Sequence, residues 1–207
     1  MGVLEDKARA RVFYKYLSKV YDEVNAFIWT EAMRDETLKW FDLDSSASVL
    51  DVGCGTGFGT EGLLRYTDDV TGLDQSEHQL EKATAKLGTE NVDFTRGDAE
   101  RLPFATNSFD AIWSSGSIEY WPNPHLALRE FRRVVRPGGK VLVVGPDYPD
   151  STVLQKVADA IMLFYDEDEA DRMFRDAGFV DVEHRVLQAE PNRPRAIVSF
   201  GRVPDDG

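Results

Sequence analysis

Short runs of apolar residues alternate along the chain with stretches of helical spacing. Strand-like runs fall at 48–52, 69–73, 91–95, 109–114 and 139–145, separated by amphipathic patterns at 58–66, 76–87 and 124–135. The first strand run carries Val49, Leu50 and Val52 with little alternation, the mark of a parallel strand covered by helices on both faces. This rhythm of strands and helices predicts βαβ units with right-handed crossovers and ligands at the carboxyl ends of the strands. Ahead of this core, Phe13, Leu17, Val20 and Val24 share a helical face, and Thr30 is a potential N-cap for a helix over Thr30 to Trp40. Behind it, Leu154, Val157, Ala158, Ile161, Met162 and Tyr165 form an apolar stripe, and a helix over Asp168 to Ala177 should stop at Gly178. Two β-like runs, Val180 to Leu187 and Ala196 to Val203, flank Glu190-Pro191-Asn192-Arg193-Pro194 and predict a closing hairpin.

The expected fold is α/β: a Rossmann-like, doubly wound, mostly parallel seven-stranded sheet closed by a C-terminal antiparallel hairpin. All 207 residues are expected in one domain. A helical cap would occupy 1–45, the cofactor-binding core 46–146, a helical lid over substrate 147–178, and the hairpin 179–207.

Charge narrows the partners. With 24 Lys and Arg against 37 Asp and Glu, the net charge is −13, which repels nucleic-acid phosphates and anionic lipid. The acids are spread along the chain rather than gathered in a tail, a solubility surface of the kind suited to a salty cytosol. A single cysteine, Cys54, excludes an internal disulfide framework and a multi-cysteine zinc site, and no metal is expected. Glu5 and Asp6 stand where a signal peptide would be basic and then apolar, and no run approaches a membrane span. A cytoplasmic protein, monomeric or homodimeric and at most transiently in contact with a membrane, is the expectation.

The chemistry gathers where strands end. The first strand runs into Gly53-Cys54-Gly55-Thr56-Gly57, where alternate residues without a Cβ permit a sharp turn and close approach of a ligand to backbone amides. Asp51, inside the apolar run, needs a hydrogen bond to be tolerated there. Asp74 closes the second strand, where a carboxylate can accept from both hydroxyls of a ribose. Asp98 closes the third, where it could accept from an adenine amino group while the Ala99 amide donates to the ring. A dinucleotide and S-adenosylmethionine both suit such a site. The dinucleotide pattern occurs only as Gly57, Gly59 and Gly62, too far into the following helix to cradle a pyrophosphate.

Asp51-x-Gly53-x-Gly55-x-Gly57, with Gly97-Asp98-Ala99 and Leu102-Pro103-Phe104, resembles the motifs of the class I S-adenosylmethionine-dependent methyltransferases. Further stretches extend the likeness: Phe13 to Asp35, Asp74-Gln75-Ser76-x-His78-Gln79-Leu80, Gly116-Ser117-Ile118-Glu119-Tyr120-Trp121-Pro122 and Gly145-Pro146-x-Tyr148-Pro149. Together they resemble the 2-methyl-6-prenyl-hydroquinone C-methyltransferases of plastoquinone and tocopherol synthesis, over residues 12 to 187. The chain departs from them at Cys54, where they carry glycine, and is expected to do without their transit peptide and carboxyl-terminal anchor. Ubiquinone and menaquinone C-methyltransferases share the early Tyr21-Asp22 and Asn25, which makes a demethylated menaquinol a rival substrate.

The resemblance implies S-adenosylmethionine as cofactor and Tyr21, Asp51, Gly53, Cys54, Gly55, Gly57, Asp74, Gln75, Gly97, Asp98, Ala99, Ser114 and Ser115 as its contacts. Glu119 is a candidate proton acceptor or quinol partner, or else a helix-capping or cofactor-orienting acid. Tyr120 and Trp121 would shape the ring pocket, and His125 is a second candidate base that equally suits a helix start. His78 would either stack near adenine or pack on its helix, and His184 is read as a surface residue. Three other readings stay open: methyl transfer to another small molecule, an NAD-dependent oxidoreductase, and a cofactor-binding regulator without turnover.

Overall fold

The computed structural model describes residues 29–88, 90, 92–147, 166–191 and 195–205. The front segment with Tyr21 and the stripe from Leu154 to Tyr165 lie outside the described residues. In chain order the elements are α1 (Glu31–Phe41), β1 (Ser48–Val52), α2 (Phe58–Leu63), β2 (Asp69–Asp74), α3 (Glu77–Leu87), β3 (Val92–Arg96) and β4 (Phe109–Ser115). A single 3-10 turn (Ile118–Tyr120) follows, then α4 (Pro124–Val134), β5 (Val135–Pro146), α5 (Glu167–Asp176), β6 (Val180–Gln188) and β7 (Arg195–Arg202).

The strands form one seven-stranded sheet in the order β3-β2-β1-β4-β5-β7-β6. β1 to β5 pair in parallel, and β7 runs antiparallel to both β5 and β6. The mostly parallel sheet with a closing antiparallel hairpin is as expected. Because side chains alternate across a strand, the unbroken apolar runs feed two cores. Leu50, Val52, Ile112, Val141 and Val143 face one layer with Phe131 of α4 and Phe174 of α5. Val49, Ala111, Trp113, Leu142 and Val144 face the other with Leu38 and Phe41 of α1 and Leu63 of α2. Leu38, Leu50, Phe131 and Trp113 are completely buried, and each such side chain contributes about 1.5–3 kcal/mol.

Local signals set the helix starts. Thr30, Ser76 and Asn123 each accept the N–H of the residue three positions on, and Asp166 forms a reciprocal capping box with Glu169. α2 is shorter than the 58–66 expected, closing at Leu63. β5 begins at Val135 rather than 139: Val135 pairs with Phe109, and the ladder resumes with Ala111 against Lys140 across an irregularity. Pro137-Gly138-Gly139 makes that kink, with Gly138 at φ +75; a side chain on Gly139 would lie 2.6 Å from the Asp110 carbonyl.

His184 corrects the surface reading. Its side chain is only 11% exposed, with Nδ1 2.9 Å from Ser199 Oγ and the ring edge-on to Phe174. The bulge between Val180 and Glu183 in the β6–β7 pairing breaks a simple alternation count.

Candidate active site

β1 stops where Gly53 and Cys54 both donate backbone N–H bonds to the Leu73 carbonyl of β2, at 2.7 and 3.0 Å. Gly53, Gly55 and Gly57 all have positive φ, +73, +53 and +85, which a residue with a side chain would adopt only with strain. The three glycines do different work. A Cβ on Gly53 would lie 2.5 Å from Ser117 Cβ, and one on Gly57 2.8 Å from Leu87, whereas one on Gly55 meets nothing within 4 Å. Gly55 therefore borders open space above the strand ends. Gly59 and Gly62, the other members of the dinucleotide-like pattern, are packing positions. A Cβ on Gly59 would meet Trp113 and Asp51, and one on Gly62 would meet Arg34 and Leu38.

Asp51 lies behind this turn, 1% exposed, and accepts a 2.7 Å hydrogen bond from Thr60 Oγ1 of α2. Burial is the main cause that raises its pKa to about 7, against the pull of Thr60, with the Asp74 charge adding to the rise. Cys54 is buried beside it, its thiol is pushed up by burial and by both aspartates, and its sulfur packs against Gly72 of β2. Asp74 accepts from the Gly55 N–H at 3.0 Å and the Ser76 N–H at 2.8 Å, one on each carboxylate oxygen. Burial raises its pKa, while the Ser76, Gly55 and Gln75 amides hold it down. Each oxygen keeps capacity for another donor, so a vicinal pair of hydroxyls at the edge of the Gly55 space would find two acceptors. Gln75 itself is exposed, and its carbonyl accepts from Arg96.

At the end of β3, the Gly97 N–H binds the Asp74 carbonyl at 3.0 Å, and the half-buried Asp98 takes the Glu100 N–H at 3.0 Å. Ala99 is buried. The Gly turn, Asp74 and Asp98 thus follow one another along the carboxyl edge of β1, β2 and β3.

At the end of β4, the hydroxyl of Ser114 lies 2.7 Å from that of Ser117 just beyond the strand, and Ser114 donates to the Val52 carbonyl at 2.8 Å. Both are buried, so Ser114 ties β4 to β1. Ser115 Oγ accepts from Trp113 Nε1. Glu119 is 1% exposed in the 3-10 turn, between buried Ile118 and Tyr120, and Trp121 is buried edge-on to Phe131. His125 is exposed in the first turn of α4, and His78 is exposed in that of α3.

Several supporting residues give little signal in sequence. Thr60 is an ordinary helix residue until Asp51 is seen to need a donor. Arg34, in a helix where arginine normally faces water, is completely buried. Its guanidinium stacks 4.6 Å from the Phe58 ring centroid and donates to the Phe58 carbonyl at 3.0 Å, clamping the first turn of α2.

The profile of a methyltransferase domain matches residues 50–143. A demethylmenaquinone methyltransferase of Staphylococcus aureus is 30% identical over 87% of this chain and 88% of its own length. The chain belongs to the class I S-adenosylmethionine-dependent methyltransferases. A rice 2-methyl-6-phytyl-1,4-hydroquinone methyltransferase is 46% identical over 97% of this methyltransferase. The chain spans 61% of that relative's length. In fold, it superimposes on a Haemonchus contortus phosphoethanolamine N-methyltransferase with a TM-score of 0.81 at 17% identity, over 95% of this chain and 61% of that one. Among the described residues no helix is long and apolar enough to cross a membrane.

Proposed function

We propose that this methyltransferase transfers a methyl group to a ring carbon of a prenylated hydroquinone in lipid-quinone synthesis. The observation that carries the reading is the 46% identity to the rice phytyl-hydroquinone enzyme over nearly the whole chain. The turn of Gly53, Gly55 and Gly57 would hold the methionine end, supported from behind by Asp51 and Thr60. Asp74 would take the ribose hydroxyls, and Asp98 with the Ala99 amide the adenine. Bound S-adenosylmethionine supplies an electrophilic methyl group. The chain's own task is to hold the acceptor carbon in line and to take up a phenolic proton, which makes that carbon more nucleophilic. Glu119 is the residue assigned to that proton or to a quinol hydroxyl, with Tyr120 and Trp121 as the ring's walls. His125 is the second base, one that would have to reach the site from an exposed position.

A net charge of −13 favours apolar, transient contact with a membrane over electrostatic attachment. The likeness to the staphylococcal demethylmenaquinone enzyme keeps a naphthoquinol as the rival ring. Incubating the protein anaerobically with methyl-labelled S-adenosylmethionine and either 2-methyl-6-prenyl-hydroquinone or demethylmenaquinol distinguishes them. Label in the benzoquinol supports the proposal, label only in the naphthoquinol moves it to the rival ring, and label in neither overturns it.

A further inference from the structure

The segment from Gly116 to Asn123 is strapped to the cofactor-facing loops at both ends. At its start, Ser117 fills the space that the missing side chain of Gly53 leaves, and its hydroxyl lies 2.7 Å from that of Ser114, which donates to the Val52 carbonyl. At its finish, the Asn123 N–H donates to Glu100 Oε1 at 2.7 Å. Glu100 in turn gives its own N–H to Asp98 at 3.0 Å, and Asn123 Oδ1 accepts from Leu126 to cap α4. A continuous line of hydrogen bonds thus runs from Asp98 through Glu100 and Asn123 into α4. Charge-assisted bonds to a carboxylate at a helix start are the short, strong kind. Between the two straps lie Ile118, Glu119, Tyr120 and Trp121, all buried.

We infer that Glu100 and Ser117 are positioning residues that make cofactor and acceptor binding interdependent, so that filling the site along Gly55, Asp74 and Asp98 sets the 118–121 turn for its acceptor. The inference rests on the function proposed above. A ligand taken up against Gly55 and Asp98 restrains the two loops that hold the turn, and an acceptor lodged against the turn restrains the same loops from the other side. Coupling of this kind is reciprocal. A merely structural role for Glu100, capping α4, would change stability and leave the two affinities independent.

Calorimetry on the intact protein separates the two. The affinity for a hydroquinone carrying one prenyl unit is measured with and without saturating S-adenosylhomocysteine, in wild type, Glu100→Ala, Ser117→Ala and Glu130→Ala. Alanine removes the carboxylate that accepts from the Asn123 N–H. Glu130 anchors the same loop through the Leu102 N–H, and its other hydrogen bonds go to Arg133 of its own helix. Wild type should bind the hydroquinone about 10-fold tighter when S-adenosylhomocysteine is present, within the usual range for coupled sites. Glu100→Ala and Ser117→Ala should reduce that ratio to below about 2-fold while Glu130→Ala keeps it. Equal affinity in both states of the wild type, or a ratio unchanged in Glu100→Ala and Ser117→Ala, overturns this inference and leaves the proposed function standing. No hydroquinone binding by wild type in either state overturns the proposed substrate and the inference together.

Discussion

The two ends of the sheet treat polar groups in opposite ways. Around β1 and β2, three ionisable side chains lie close together, Asp51 and Cys54 buried and Asp74 half-buried, with pKa values raised by desolvation, and three alternate glycines hold positive φ. Around β5, β7 and β6 the backbone is paired from Lys140–Arg202 to Pro146–Ala196. There polar side chains find partners within the fold: His184 with Ser199, Arg195 with Asp147 at 2.8 Å, and Arg202 with the Gly138 carbonyl at 3.0 Å. The hairpin end is closed on itself. The glycine end keeps strain and buried charge that make sense where a ligand completes the site. Substitutions at the glycine end should therefore change cofactor binding, whereas substitutions in the hairpin should change stability alone.

The largest effect is expected from a pair of alanines in the turn. Gly53→Ala combines a positive φ with overlap on Ser117 and should lower stability by about 3 kcal/mol or more, with cofactor binding lost alongside. Gly55→Ala faces open space, so it should cost only about 1 kcal/mol of stability but obstruct the ligand. Thermal melts and titration with S-adenosylhomocysteine check the pair; equal stability losses would remove the distinction between a packing glycine and a ligand-facing one.

Asp51 gives a pH test with a definite sign. Its pKa is raised from 3.8 to about 7 in the folded protein, so the folded state binds the proton more tightly than the unfolded state. The stability this contributes is fully present below the unfolded pKa and is lost as pH rises to about 7. Asp51→Asn should abolish that slope, leaving the ligand-free protein about 2–4 kcal/mol more stable than wild type at pH 8. It should also weaken S-adenosylhomocysteine binding. Denaturant melts across pH 5 to 8 check it, and parallel curves for the two proteins would contradict it.

The sheet was readable because its central strands are buried on both faces. Val49 to Val52 and Val141 to Val144 have no solvent side to interrupt the apolar run, and the glycines after β1 mark its end. The start of β5 was hidden because Pro137-Gly138-Gly139 reads as a break, yet Val135 pairs with Phe109 across it. Asp74 and Asp98 stand at strand ends, as their spacing from the first strand predicts, and there they accept backbone N–H groups of the loops that follow. Arg34, Thr60, Ser117 and Glu100 were not legible in this way. Each is defined by a partner distant in sequence, Phe58, Asp51, Gly53 and Asn123, and a polar residue in a helix or loop carries no sign of which backbone group it will meet. The direction of Ser114, inward to Val52, was hidden for the same reason.

The smallest effect belongs to the hairpin. Ser199→Ala removes the partner of His184 Nδ1 and should cost about 1 kcal/mol, with S-adenosylhomocysteine affinity unchanged. A loss of affinity there would show that the two ends are not independent.

Whether the site along β1, β2 and β3 serves methyl transfer to a prenylated quinol can be read from the lipid quinones of cells with and without the gene, by mass spectrometry, with wild type and Asp74→Ala supplied back. We expect a quinone one methyl group lighter when the gene is absent, restored by wild type and not by Asp74→Ala. A quinone pool unchanged by loss of the gene would rule that role out.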